Sequence, residues 1–256
     1  MKAEIHYSIL GAAICLWLGL LAMLGCSSDP SRLRSFPKLM LWAWERPEDL
    51  RAIDPRTMGV AYLAQTLTLR GYDVLRKPRL QPLRVPHGTA MMAVTRIEVD
   101  RAMPFSPDER TREAVITELL GHLRPEVRGL QLDFDARVSE RPFYRELLVE
   151  LRRRMDPGMP LSMTVLASWA LFDDWIRDFP VDEGVPMCFD MGADGPAVMA
   201  RLRERRDFLV PLARRALGIG LREPPPWIPK NRRLYIFSHQ PWDGAALDLV
   251  RKEYVQ

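Results

Sequence analysis

The amino-acid sequence predicts an α/β fold, an irregular (β/α)8 barrel of the TIM type. Three observations carry that expectation: short apolar runs at regular intervals, helical patterns between several of them, and polar residues gathered at the ends of the runs. The runs are 39–44, 59–67, 91–99, 129–134, 161–167, 185–189, 217–221 and 234–237. Near-continuous runs of this kind suit parallel strands that are buried on both faces.

The chain has 256 residues, of which 47% are hydrophobic and 27% charged, with 22 prolines and three cysteines. That composition excludes disordered, collagen-like and disulfide-scaffold classes. Basic residues number 37 against 33 acidic ones, and they are spread along the chain rather than concentrated in a patch. A nucleic-acid partner is therefore not expected. The arginine-rich runs Arg152-Arg153-Arg154 and Arg203-Glu204-Arg205-Arg206 read as solvated helix faces.

At the start, Lys2 precedes an apolar run at 9–24 that ends in Leu24-Gly25-Cys26-Ser27-Ser28. A basic start, a short apolar core and a small residue before the cut describe a secretory signal. The run is shorter than the roughly 20 residues that span a bilayer comfortably. Residues 1–25 are read as a signal peptide, 26–37 as a polar tether and 38–256 as the barrel domain; an uncleaved anchor helix is the alternative. Ala22-Met23-Leu24-Gly25-Cys26 resembles the bacterial lipobox. That resemblance implies lipidation of Cys26, and Ser27 after it implies the outer membrane, with the domain facing the periplasm or exterior. Only Cys188 then remains in the mature domain, which excludes an intramolecular disulfide.

Further along, Ser106-Pro107-Asp108-Glu109 is a capping box with proline in the first turn, opening a helix to about His122. A second helix starts at Ser139 and aligns Phe143, Leu147, Leu148 and Leu151 as one apolar stripe. Two more are expected at 196–209 and 243–254. The proline-rich stretch 70–90 has no helical period, so an irregular or hairpin insertion replaces helix two. Pro224-Pro225-Pro226-Trp227 leaves little room for helix seven. These two gaps keep a doubly wound open sheet as the alternative fold.

In a TIM-type barrel, function sits at the carboxyl ends of the strands. Polar groups fall there repeatedly: Glu45 after the first run, Arg96 and Glu98 at the third, Asp190 at the sixth and His239 after the eighth. The fourth run, Leu130-Gln131-Leu132-Asp133-Phe134-Asp135, is the most informative. Side chains alternate along a strand, so Gln131, Asp133 and Asp135 share one face while Leu130, Leu132 and Phe134 share the other. The apolar set must face the helices, which turns both carboxylates toward the barrel mouth. Two acids one pleat apart repel, so one holds its proton to higher pH, as a general acid requires. The alternative is that Asp133 and Asp135 bond to Arg96, Arg137 or loop amides and brace the barrel. Asp135, Asp133, Asp190 and Glu98 are the catalytic candidates; Glu45, Arg96, Trp169, Trp242 and His239 are the substrate-binding ones. Trp42, Trp44, Trp169, Trp227 and Trp242 all fall at strand ends or loops, where ring faces stack on sugars or pack in the core. His239 either pairs with Asp190 or Glu223 or serves as a structural histidine, and Cys188 reads as a small buried hydrophobe.

Other motifs are missing. The sequence has no Gly-rich phosphate loop, CxxC pair, HExxH or GxSxG, and its four histidines are dispersed. No cofactor and no metal site are expected.

The segment Arg128-Gly129-Leu130-Gln131-Leu132-Asp133-Phe134-Asp135 resembles the strand-four signature of the chitinase-like glycoside hydrolases (family eighteen). Met187-Cys188-Phe189-Asp190-Met191-Gly192 resembles that family's strand-six motif, and Trp242 falls near its strand-eight tryptophan. The resemblance implies that Asp135 protonates the leaving oxygen, Asp133 orients the substrate's acetamido group, and Asp190 with Phe189 assists. The family carries glutamate where Asp135 stands and tyrosine where Phe189 stands. Over nearly its whole mature length the chain also resembles a bacterial lipoprotein family, domain-of-unknown-function family 3142. Leu41-Trp42-Ala43-Trp44-Glu45-Arg46-Pro47-Glu48, the fourth run and Ser139-Glu140-Arg141 carry that likeness, which implies export and a barrel.

The sequence thus predicts an exported, membrane-tethered barrel that acts on a polysaccharide or oligosaccharide, with acid catalysis from the strand-four carboxylates. A non-catalytic glycan-binding barrel and a structural envelope lipoprotein are the alternatives, because the fold alone does not choose among them.

Overall fold

In the computed structural model, which describes residues 28–255 apart from 226, parallel strands close on themselves into a barrel. The barrel strands are β1 (Leu39–Ala43), β2 (Met58–Arg70), β3 (Met91–Val99), β4 (Val127–Asp133), β5 (Leu161–Leu166), β6 (Glu183–Met187), β7 (Ala216–Gly220) and β8 (Arg233–Phe237). Each pairs in parallel with the next, and β8 returns to pair with β1. All eight predicted runs are strands, and closure excludes the open sheet. Strand six begins at Glu183, two residues earlier than its apolar run, because this buried glutamate sits inside the barrel with charged and polar partners.

The helices are α1 (Glu109–Gly121), α2 (Arg141–Arg154), α3 (Ala167–Phe172), α4 (Gly195–Arg205) and α5 (Gly244–Tyr254). The cap of α1 is Asp108 rather than Ser106: its carboxylate accepts from the Thr111 amide at 2.9 Å. The stripe of α2 is as predicted, with Phe143, Leu147, Leu148 and Leu151 buried against the strands. Arg152 departs from the solvated-face reading. It is buried and donates to the carbonyls of Asp156 and Met159, fastening the loop that leads into β5. Among the described residues no α-helix follows β2 or β7, as predicted, and none follows β1 either. After β2 the chain turns at Gly71, whose φ of +56° suits a residue without a Cβ, and returns as the antiparallel strand Asp73–Pro78.

Two apolar layers hold the barrel. One lies between the strands and the helices. The other fills the interior with Met40, Trp42, Ala61, Met92, Val94, Val185, Ala216 and Tyr235. The residues before β1, read from the sequence as a tether, close the barrel floor where they are described. Pro30–Ser35 forms a short 3-10 turn, and Leu33 and Phe36 join the interior cluster. Arg32 pairs with the buried Asp182 at 2.8 Å, and Arg233 donates to the Leu33 and Pro37 carbonyls and to Glu183. With one end plugged, access to the interior is from the carboxyl ends of the strands.

Candidate active site

The site grows out of β4. Its alternation is as predicted: Leu130 and Leu132 are buried against the helices, while Gln131 and Asp133 turn inward. Gln131 accepts from the Trp42 indole at 2.9 Å and donates to Ser162 of β5 at 3.0 Å. One layer up, Asp133 lies opposite Arg96 of β3 and accepts a 2.7 Å hydrogen bond from Thr164 of β5. Trp42 can reach across the barrel only because Gly218 of β7 has no side chain. A Cβ there would lie 2.9 Å from the indole.

Above this layer opens a cavity of about 310 Å³. One wall is aromatic. Phe189 and Phe237 stack with ring centres 4.9 Å apart and planes 12° from parallel. Trp42 packs against Phe189 from below at 5.7 Å, and Trp44 meets Phe237 edge-on at 6.3 Å. Trp44, Phe189 and Phe237 are half-buried, so parts of their rings remain available at the cavity. Asp133, Asp135, Asp190, Asp194, Arg96 and Thr164 bring the polar groups. Broad apolar faces with a few converging polar groups are the usual lining of a small-molecule or sugar site.

The two strand-four acids differ in setting. Burial raises the Asp133 carboxyl to about 6; the Thr164 hydrogen bond opposes this, and the charge of Asp135 adds to it. Asp135 lies past the end of the strand and is exposed as a residue, yet partial burial of its carboxyl raises it too, against the pull of Arg96. Asp190 stands across the cavity on the turn after β6 with a φ of +49°, and its carboxylate meets His239 Nε2 at 3.3 Å.

The cavity thus unites Asp133, Asp135, Asp190 and Arg96, with His239 touching its rim through Asp190. The other candidates lie elsewhere. Glu98 pairs with Arg96 at 2.9 Å in an adjoining groove, and Glu45 pairs with Lys77 of the hairpin. Trp169 is buried in the helical layer against Trp175, because α3 begins at Ala167 and turns its indole into the core. Trp242 is only 3% exposed; its indole donates to the Trp42 carbonyl and its amide to Glu48, so it packs and braces. Cys188 is buried, which pushes its thiol up to about 12 and leaves it inert as a nucleophile. Cys26 lies outside the described residues. Phe189, which the family resemblance paired with Asp190, lies in the cavity, while Phe237, Thr164 and Asp194 are cavity residues that sequence reasoning missed. Phe237 ends an ordinary apolar strand, and only closure of the barrel brings it against Phe189.

No protein-family model matches the chain, so the likeness to family 3142 has no support from that comparison. No curated protein matches it in sequence either. Solved structures do. A Streptomyces coelicolor chain described as chitinase A is 9% identical, covers 84% of this chain and 95% of its own, and superposes with a TM-score of 0.50. The spore cortex-lytic enzyme SleL of Bacillus cereus is 19% identical with a TM-score of 0.47, covering 71% of this chain. This chain spans half the length of that enzyme. At such identities the likeness to the Streptomyces chain establishes the barrel fold alone.

Proposed function

We propose that this chain is an exported, membrane-tethered carbohydrate-active barrel that hydrolyses a glycosidic bond, with Asp135 as proton donor. The observation that carries the reading is the placement of Asp133 and Asp135 beside one aromatic-walled cavity at the open end of the barrel. The stacked faces of Phe189 and Phe237 suit the apolar face of a sugar ring. Asp135, the shallower of the two acids, reaches the leaving oxygen. Its proton passes to that oxygen as the bond to the anomeric carbon breaks. An ionised carboxylate, Asp190 or Asp133, faces the oxocarbenium-like centre. Water then adds to the anomeric carbon and returns a proton to Asp135.

The fold of the Streptomyces chitinase A supports the reading at the level of architecture. Export and attachment through Cys26, on the outer membrane facing the periplasm or exterior, belong to the same proposal and rest on the sequence of 1–28. The described chain enters its fold at the barrel floor, opposite the mouth, which suits a tether on that side. The test is turnover of oligosaccharides by the wild type and by Asp135→Asn, with binding measured alongside. Asp135→Asn keeps the shape and loses the proton, so turnover falls about 10²–10⁴-fold while binding is retained. Binding without turnover by the wild type would replace the hydrolase with a glycan-binding barrel, the reading that the short Asp135 side chain favours.

A further inference from the structure

The lining of the mouth carries more negative charge than a neutral sugar needs. Asp133, Asp135, Asp190 and Asp194 face the cavity against a single guanidinium, Arg96. Glu98, in the adjoining groove, lies 2.9 Å from that guanidinium and offsets its charge. The other basic group at the rim, His239, already faces Asp190 at 3.3 Å. Low-dielectric walls focus the field of such a cleft, and here the wall is the ring set Trp44, Phe189 and Phe237. Aromatic faces attract cations in their own right. Two independent features, the excess carboxylates and the ring faces, therefore suit the same kind of guest.

The ring faces beside the carboxylates suit an organic cation. No group of three or more His, Cys, Asp or Glu among the described residues is disposed to hold a metal ion. A dispersed set of carboxylates beside ring faces fits an ammonium group, which forms hydrogen bonds in several directions and tolerates varied geometry. We propose that the cavity selects sugars that carry a protonated amine: amino sugars without an N-acetyl group. The inference rests on the carbohydrate reading and adds the charge of the substrate to it. Asp190 and Asp194, both on the connection after β6, are assigned to the amine, which leaves Asp135 free to face the scissile oxygen.

The experiment compares glucosamine oligomers with N-acetylglucosamine oligomers of equal length by titration calorimetry. The full chain is used in detergent, at a pH where the amine is protonated. The deacetylated oligomer is expected to bind about tenfold more tightly, with the difference shrinking as salt is added. The double variant Asp190→Asn/Asp194→Asn is expected to lose most of the preference, with affinity for the deacetylated oligomer falling much further than affinity for the acetylated one. Equal or tighter binding of the acetylated oligomer, or a preference unchanged in the double variant, would overturn the amine assignment alone. Binding of neither oligomer would overturn the carbohydrate reading and this inference with it.

Discussion

Replacing Asp133 with asparagine isolates the electrostatic character of the site. The side chain keeps its shape, and its carbonyl oxygen still accepts the 2.7 Å bond from Thr164. What changes is the cost of ionising a carboxyl that burial raises from 3.8 to about 6. Between those values the folded state holds a proton that the unfolded chain has released. Wild-type stability therefore falls as pH rises through that interval, and the penalty is complete above about pH 6. Each pKa unit corresponds to about 1.4 kcal/mol, so the ceiling is about 3 kcal/mol. Cavity water screens the charge and brings the expected gain from Asp133→Asn to about 1–2 kcal/mol. In a domain of this size that is a rise in Tm of roughly 3–6 °C. Thermal melts of both proteins at neutral pH and below pH 4 measure it: the variant melts higher at neutral pH, and the two coincide in acid. A variant that melts lower at neutral pH would mean that the Asp133 anion is a structural partner, and the reasoning would fail.

Three further outcomes follow from the positions of Trp44, Trp242 and Cys26. Trp44→Ala is expected to weaken oligosaccharide binding roughly three- to tenfold with Tm preserved, as a ring-stacking contact implies. Trp242→Ala is expected to lose about 3–5 kcal/mol of stability in denaturant titrations, because its indole is buried and braces Trp42. Exchanged phenotypes would put Trp242 at the sugar after all. If Cys26 is lipidated, a metabolic fatty-acid probe labels the wild type and leaves Cys26→Ala unlabelled, whereas equal labelling of both removes the lipid anchor from the proposal.

The fold was legible in the sequence because parallel strands buried on both faces need continuous apolar runs, and all eight runs are strands. The period of two at Gln131, Asp133 and Asp135 was equally readable, since a pleat leaves a carboxylate little choice of side. Long-range placement was not readable. Trp169 and Trp242 fall at strand ends as Trp44 does, yet the short helix α3 and the cap over β1 turn those two indoles into the core. Arg152 looked like one more solvated arginine, and only the loop at 156–159 gives its guanidinium carbonyls to bond. Glu98 and Glu45 sit at strand ends as expected, but Arg96 and Lys77 hold them outside the cavity. A strand end locates a residue along the barrel, while its neighbours decide whether it faces the mouth.

The central claim is that a sugar lies on the Phe189–Phe237 face with its glycosidic oxygen at Asp135. The most direct measurement is a crystal structure of Asp135→Asn with an oligosaccharide bound. The expected result is a sugar ring stacked on Phe189 or Phe237, and the glycosidic oxygen within hydrogen-bond distance, about 3 Å, of residue 135. An oligosaccharide seated outside the mouth, or one whose glycosidic oxygen points away from residue 135, would contradict the account.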